Sequence, residues 1–477
     1  MRLAKKTAEV QRDERQTDLG NAKRLVALYG RDIRYVPEWE RWLVWESNRW
    51  RIDPSKDAVL PLAKTTIRFL YTFASAIKDD QRQSLLIDHA RKSERLERLR
   101  AMATLAQTEP GIPVSPDALD ADPWLLNCLN GTVDLRTGEL RPHRRGDLIT
   151  KRCPVCYSRE ARSDLWERFL RRVTGGDEAL AAFLQRAIGY ALTGHTWEEI
   201  VLFLIGPAAS GKTTFIEAIK AALGDYAVTA EFETFLVKDG RGPRSDIARL
   251  AGARLVSASE GPPGRQLDER LVKQGTGGDR VTARHLYKEE FEFTPQFLLI
   301  LGANHRPTIR GDDDAIWRRV LEVPFAAEIP PEERDPQVKA TLRDPAQSGA
   351  AILAWAVEGC LAWQRERLQV PEAVKRATAA YRSEMSVFDQ FLEERCQVGP
   401  VFWVASQRFN QAFQGWAVEQ GYRYPLGPQR IAAALRNRGF VPRKKGDVRG
   451  WEGLQLAPVD GADGLDTVSG KSPYGNR

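Results

Sequence analysis

The string VLFLIGPAASGKTTFIEAI, residues 201–219, constrains the fold more than any other stretch of the chain. Its five opening apolar residues, Val201 to Ile205, predict a buried strand, and a helical pattern begins after a loop of small residues. Gly206, Gly211, Lys212 and Thr213 match the spacing G-x-x-x-x-G-K-[ST] between that strand and that helix. Glycines in such a loop let backbone N–H groups close around a β-phosphate. Lys212 then reaches the β- and γ-phosphates, and the Thr213 hydroxyl ligates Mg²⁺. The expected cradle is Gly206, Pro207, Ala208, Ala209, Ser210, Gly211, Lys212, Thr213 and Thr214, with ATP and Mg²⁺ as cofactors. A chance match in a Gly-rich turn is the competing reading, and both flanks weigh against it.

A working ATPase also needs an acid at the end of a neighbouring strand. ARLVSASE supplies a short apolar strand ending on Glu260, expected to join Thr213 at the metal and to polarise water. The plain alternative is a solvated Glu at a strand end. QFLLILGAN ends on Asn304, which is suited to sensing the γ-phosphate and orienting the attacking water, or to capping the turn into HRP. DDDAIWRRV then carries adjacent Arg318 and Arg319. In a ring of subunits, an arginine just past this third strand can stabilise charge on a neighbour's γ-phosphate. Alternatively the pair is a basic patch or is held by residues 312–314.

A chain of 477 residues suggests two to four domains. The net charge of +7 tilts the partner expectation weakly toward polyanions, because both signs are mixed through the sequence. Five cysteines make no disulfide framework, which points to a reducing cytosol. Cys153 and Cys156 have metal-ligand spacing without a second Cys or His pair, so two ordinary semi-buried cysteines are favoured over zinc. A polar N-terminus is no signal peptide, and no apolar run approaches the roughly 20 residues of a membrane span. The expectation is a soluble protein of the bacterial host cytoplasm, with no membrane partner.

The predicted segments are a flexible tail (1–17), an N-terminal domain of helices and short strands (18–160), an ATPase domain of alternating strands and helices (161–345), a helical connector (346–395), a helix–helix–basic-hairpin module (396–457) and a disordered tail (458–477). Trp166, Phe169, Leu170 and Val173, like Leu180, Phe183, Leu184 and Ala187, sit at i, i+3, i+4 and i+7, the pattern of helices that pack on a neighbour.

P-loop, Glu and Asn at the ends of three successive strands resemble the superfamily 3 helicases of viruses and plasmids. LAGARLVSASE, VKQGTGGDRVTARHLY, FTPQFLLILGANHRP and GDDDAIWRRVLEVPF look like the phage and plasmid primase–helicase family, which includes poxvirus-type members. GNAKRLVALYG, DADPWLLNCLNGTVDLRTGEL and AFLQRAIGYALTG are similar to the region preceding the motor in that family. The resemblance covers about 20–455. It implies a multidomain α/β protein: an AAA+-like P-loop core of the superfamily 3 type, a mixed α+β N-terminal domain and a C-terminal winged helix. It gives Lys212 and Thr213 the Walker A roles, Glu260 the Walker B role, Asn304 the sensor role, and Arg319, with Arg318 second, the arginine finger. Many family members have two acids where Ser259 and Glu260 stand, so one carboxylate here serves both metal and water. With about 17 residues ahead of the shared region, no primase domain and no primer synthesis are expected.

Single strands are held by basic side chains along phosphates and by aromatics against bases. The resemblance assigns the pore-lining segment to residues between Glu260 and Asn304, with Lys273, Arg284 and Lys288 as its cations. The alternative is a solvated hairpin whose glutamates cancel them. Arg436, Arg438, Arg443, Lys444 and Lys445 form a C-terminal basic cluster, suited to duplex DNA or simply a solvated face. Together these readings imply an ATP-dependent replicative DNA helicase, a hexameric ring translocating on single-stranded and forked DNA beside a separate primase or polymerase. The rival readings are an ATP-switched replication initiator or regulator without processive unwinding, and a small-molecule kinase, which would need neither winged helix nor arginine pair.

Overall fold

The computed structural model describes residues 15–55, 57–238, 244–259, 265–284, 290–309, 314–422 and 426–457. Within this range the chain is multidomain α/β, and it falls into two compact units, one ending at Thr378 and the other beginning at Ala379. The expected tails lie outside the described residues except for 15–17, where the Thr17 hydroxyl caps the first helix by accepting from Gly20 N at 3.1 Å.

The first unit opens with α1 (Asp18–Tyr29), an antiparallel sheet of β1 (Ile33–Val36), β2 (Arg41–Trp45) and β3 (Trp50–Ile52), and helices α2 (Leu60–Ala74), α3 (Asp80–Ser93) and α4 (Leu96–Ala106). The alternating aromatic and polar residues of WERWLVWESNRWRID, 39–53, form the β2–β3 hairpin. Ala22, Leu25, Ile67, Leu70, Leu86 and Met102 knit the four helices into one core. A meander of β4 (Leu125–Asn127), β5 (Thr132–Asp134) and β6 (Glu139–Arg141) follows.

Helices α5 (Asp164–Val173) and α6 (Glu178–Ala191) lead into the parallel sheet. Its components are β7 (Val201–Ile205), α7 (Lys212–Leu223), β8 (Ala227–Thr229), α8 (Ser245–Ala248), β9 (Leu255–Ser259), α9 (Glu269–Gly277), the β10 (Val281–Arg284) and β11 (Glu290–Phe293) hairpin, β12 (Leu298–Ala303), α10 (Asp314–Trp317) and β13 (Val320–Pro324). The strand order β13-β7-β12-β9-β8, parallel throughout, is that of a P-loop-like core. All six residues of β12 and four of five in β7 are buried, as continuous apolar strands covered on both faces must be. Arg254, buried at the head of β9, donates to Leu192 O and Leu125 O and so ties the β4–β6 meander to this sheet.

Beyond the sheet come α11 (Pro336–Arg343), α12 (Ala350–Glu366), α13 (Glu372–Met385) and α14 (Val387–Arg395). α12 packs on α6 at very close range. A Cβ at Gly189 would lie 2.0 Å from Cys360 N, and one at Gly359 would lie 2.0 Å from Gln185 O. The stretch 346–395 is therefore not a separate connector: α12 belongs to the core around α6, whereas α14 buries Phe388 and Phe391 in the C-terminal core.

That second core is closed by β14 (Cys396–Ala405), α15 (Ser406–Glu419), α16 (Pro428–Asn437), β15 (Val441–Lys445) and β16 (Val448–Leu456), the strands forming an antiparallel sheet in the order β14-β16-β15. The sequence reading named the two helices and the hairpin but not β14, whose pairing with β16 slips register between Val398 and Trp403.

Cys153 is buried and Cys156 exposed. The described residues contain no group of three or more His, Cys, Asp or Glu able to hold a metal, and no helix among them is long and apolar enough to cross a membrane.

Candidate nucleotide-binding site

The turn between β7 and α7 is shaped by what surrounds it. Gly206 passes so near β13 that a Cβ would lie 2.0 Å from Phe325 O. Gly211 holds φ +89 and faces α5, where an added Cβ would meet Val173 Cγ1 at 2.5 Å. Both positions exclude any larger residue. α5 is held in turn by Trp166, which stacks on Phe215 of α7 at 5.9 Å and 12°. The apolar spacing of α5 thus serves to back the loop.

Lys212 is buried by the loop that it closes. Its Nζ donates to Gly206 O (2.7 Å), Pro207 O (2.7 Å) and Ser210 Oγ (3.0 Å). Burial lowers its pKa from the usual lysine value. An ammonium held by neutral oxygens and no carboxylate is prepared to exchange them for an anion. The cleft above it has a volume of about 300 Å³ and is lined by residues 208–214, by Ser259 at the end of β9, by Gly302, Ala303 and Asn304 at the end of β12, and by Lys339 of α11. The carboxyl ends of three adjacent parallel strands therefore meet one phosphate-binding turn, where open α/β sheets bind ligands. Asn304 is exposed at this mouth, as is Thr213. Glu260 lies outside the described residues; its neighbour Ser259 reaches the cleft.

The arginine pair divides. Arg318 has a side chain 64% exposed and pairs with Glu199 at 3.1 Å. Arg319 is 7% exposed, pairs with the same Glu199 at 2.7 Å and donates to Ala315 O. Arg319 is thus enclosed and bonded within its own chain, whereas Arg318 faces solvent.

Of the expected DNA cations, Lys273 is half-buried on α9, and Arg284 is exposed where β10 pairs with β11 opposite Glu290. The hairpin is present, but its tip with Lys288 lies outside the described residues. Arg438 is exposed but is held in place. Its guanidinium grips both carboxylate oxygens of Asp389 and lies 5.0 Å over the Phe388 ring, so it braces α16 against α14. Arg443 pairs with Glu452 (2.9 Å), Lys444 with Asp447 (3.1 Å), and Lys445 lies 5.2 Å over Trp403. Arg436 is exposed, 5.8 Å over Trp451.

Lys339 was invisible in the sequence, since nothing about PQVKATLR marks a cleft residue until α11 folds back over α7. Glu199, likewise, is one Glu among many until it meets the arginines.

Residues 22–175 match the family described as D5 N terminal like. The chain is 30% identical over 217 residues to "Putative helicase L207/L206" of Acanthamoeba polyphaga mimivirus, an alignment covering 44% of this chain and 22% of that protein. It is 30% identical over 260 residues to "Putative helicase 022R" of Frog virus 3 (isolate Goorha), covering 50% and 26%. Over part of its length this chain is thus similar to viral proteins named putative helicases. It spans about a quarter of the length of those curated relatives. "Putative helicase 184R" of Invertebrate iridescent virus 6 aligns at 24% identity over 277 residues, covering 55% and 28%. Among solved structures, the apo NrS-1 C-terminal region aligns with a TM-score of 0.48 at 11% identity, covering 92% of this chain and 100% of that one.

Proposed function

We propose that the chain is an ATP-dependent DNA helicase of a replicating genetic element, with an AAA+-like superfamily 3 motor and a C-terminal winged helix. The observation that carries this reading is the convergence of Lys212, Thr213, Ser259 and Asn304 on one cleft at the ends of three parallel strands. A triphosphate fits that cleft: the loop is too tight for side chains at Gly206 and Gly211, and Lys212 offers a charge held by neutral oxygens. Mg²⁺ fits as a partner of the phosphates rather than of a protein cage, with Thr213 and Glu260 to hold it, and would neutralise charge on the β- and γ-oxygens.

In this reading Lys212 moves its hydrogen bonds from Gly206 O and Pro207 O to phosphate oxygens, and Asn304 orients the attacking water. Arg318 of one copy completes the site of the next in a hexameric ring; its exposure supports that role over Arg319. Lys273, Arg284 and Lys288 follow the phosphates of a single strand through the pore, and Arg436, Arg443, Lys444 and Lys445 contact duplex at a fork. A separate primase or polymerase works beside it in the host cytoplasm.

The test is ATP turnover, with and without single-stranded DNA, by the parent chain and Lys212→Ala. The expected outcome is DNA-stimulated turnover that Lys212→Ala abolishes without changing the far-UV spectrum. Parental turnover by a folded Lys212→Ala chain would exclude this cleft. Slow turnover that DNA leaves unchanged would favour an ATP-switched initiator instead.

A further inference from the structure

The chain that follows β13 stays beside the nucleotide cleft and adds Lys339 to its wall. Phe325 N donates to Ile205 O at 2.8 Å, and Ile329 N donates to Ala209 O at 3.2 Å, in the loop itself. Glu333 pairs with Arg172 of α5 at 2.7 Å, and Arg343 pairs with Glu217 of α7 at 3.4 Å. Four points therefore pin the stretch 325–343 to the strand, loop and helices that build the cleft.

Within that stretch, α11 sets its charges with a direction. Arg343 reaches the middle of α7, and Lys339 stands one turn earlier on the same face. That displacement brings Lys339 to the cleft wall beside residues 208–214. Arg343 has its carboxylate. Among the described residues Lys339 has no ion pair, and it is exposed. An unpaired ammonium in the wall of a site whose other cation already awaits an anion adds to the same field.

We infer that Lys339 is a second lysine for the bound triphosphate, delivered by the chain's own α11. The inference rests on the ATP reading of the cleft and goes beyond it in one respect: the same chain supplies a second cation to the triphosphate before any neighbour contributes Arg318. ATP affinity is then set within one subunit, and the transition-state charge is met between subunits.

The experiment is calorimetric titration of ATP with Mg²⁺ into the full chain, for the parent, Lys339→Ala and Lys339→Arg, at two or more KCl concentrations. Lys339→Ala should weaken ATP about tenfold, the size of one charge-assisted contact. Its affinity should also depend less steeply on salt than the parent's. Lys339→Arg should restore most of the affinity, and the thermal midpoint of both variants should match the parent's. Parental ATP affinity in Lys339→Ala overturns the inference while leaving the ATP reading intact. So does a weakened affinity with an unchanged salt slope and no rescue by Arg, which would mark a packing role. If the folded parent binds no ATP at all, the ATP reading falls and this inference falls with it.

Discussion

Arg318 and Arg319 share one carboxylate, Glu199, but differ in side-chain exposure, 64% against 9%: one is mostly in solvent and the other is enclosed. Adjacency in RRV makes the pair visible in sequence, yet only packing separates the two roles. Removing Arg318 should cost at least about a hundredfold in ATP turnover in the assembled ring, since a trans arginine stabilises the transition state alone. ATP affinity should stay near parental, and mixing Arg318→Ala with Lys212→Ala subunits should recover part of the activity, as measured by turnover in mixtures that exchange subunits. No recovery under exchange would remove the trans role. Arg319→Ala should act first on stability, by about 1–2 kcal/mol, because it strips Ala315 O and Glu199 of a buried donor. The check is a denaturant midpoint. Arg438 teaches the same lesson. Its outward position on a helical projection made it a DNA candidate, but Asp389 and Phe388 hold it. Arg438→Ala should lower the stability of the C-terminal unit by about 1 kcal/mol and leave duplex affinity close to parental.

The elements themselves were mostly legible. β7, β9 and β12 announce themselves as short apolar runs, and the loop after β7 carries a motif whose spacing is local. α5 and α6 follow from their apolar spacing. β14 was missed because its face alternates poorly: Val398 and Val401 are exposed, and the register slips before Trp403. α11 was missed as part of the site for a different reason. Its contribution arises from where it lands on α7, and a non-local approach leaves no periodic trace. The close crossing of α6 and α12 is equally silent in sequence, for Gly189 and Gly359 read as weak points in helices until their backbones meet. Gly359→Val should force those helices apart and destabilise the first unit by about 3 kcal/mol. A thermal midpoint unchanged by that substitution would contradict the crossing. The ATP cleft would then be expected to fail only as the unit unfolds, so residual turnover per folded molecule should stay parental.

At the scale of the whole molecule, the division at Thr378 and Ala379 alters how the motor should be separated from its C-terminal unit. A cut near residue 395, where the sequence places the start of the last module, would leave α14 behind. Phe388 and Phe391 are fully buried, and their rings lie 5.4 and 5.3 Å from Phe413 of α15. Stripped of α15, α16 and the sheet, both would face water, and such a patch invites association. A cut after Met385 removes α14 together with the core that it completes. Two truncations therefore make one prediction. The chain ending at 385 should stay monodisperse, keep its ATP affinity, and retain turnover stimulated by single-stranded DNA, because Lys212, Asn304, Arg318, Lys339 and the β10–β11 hairpin all precede the cut. Its affinity for duplex or forked DNA should fall, with a shallower salt dependence, as the cations of β15 and Arg436 are lost. The chain ending at 395 should show the same DNA losses but aggregate in light scattering. If the 385 chain loses ATP binding while remaining folded, the C-terminal unit contributes to the nucleotide site and the division of labour argued for this molecule is wrong. If it keeps full duplex affinity, the basic hairpin is a solvated face, and fork recognition belongs to the first unit.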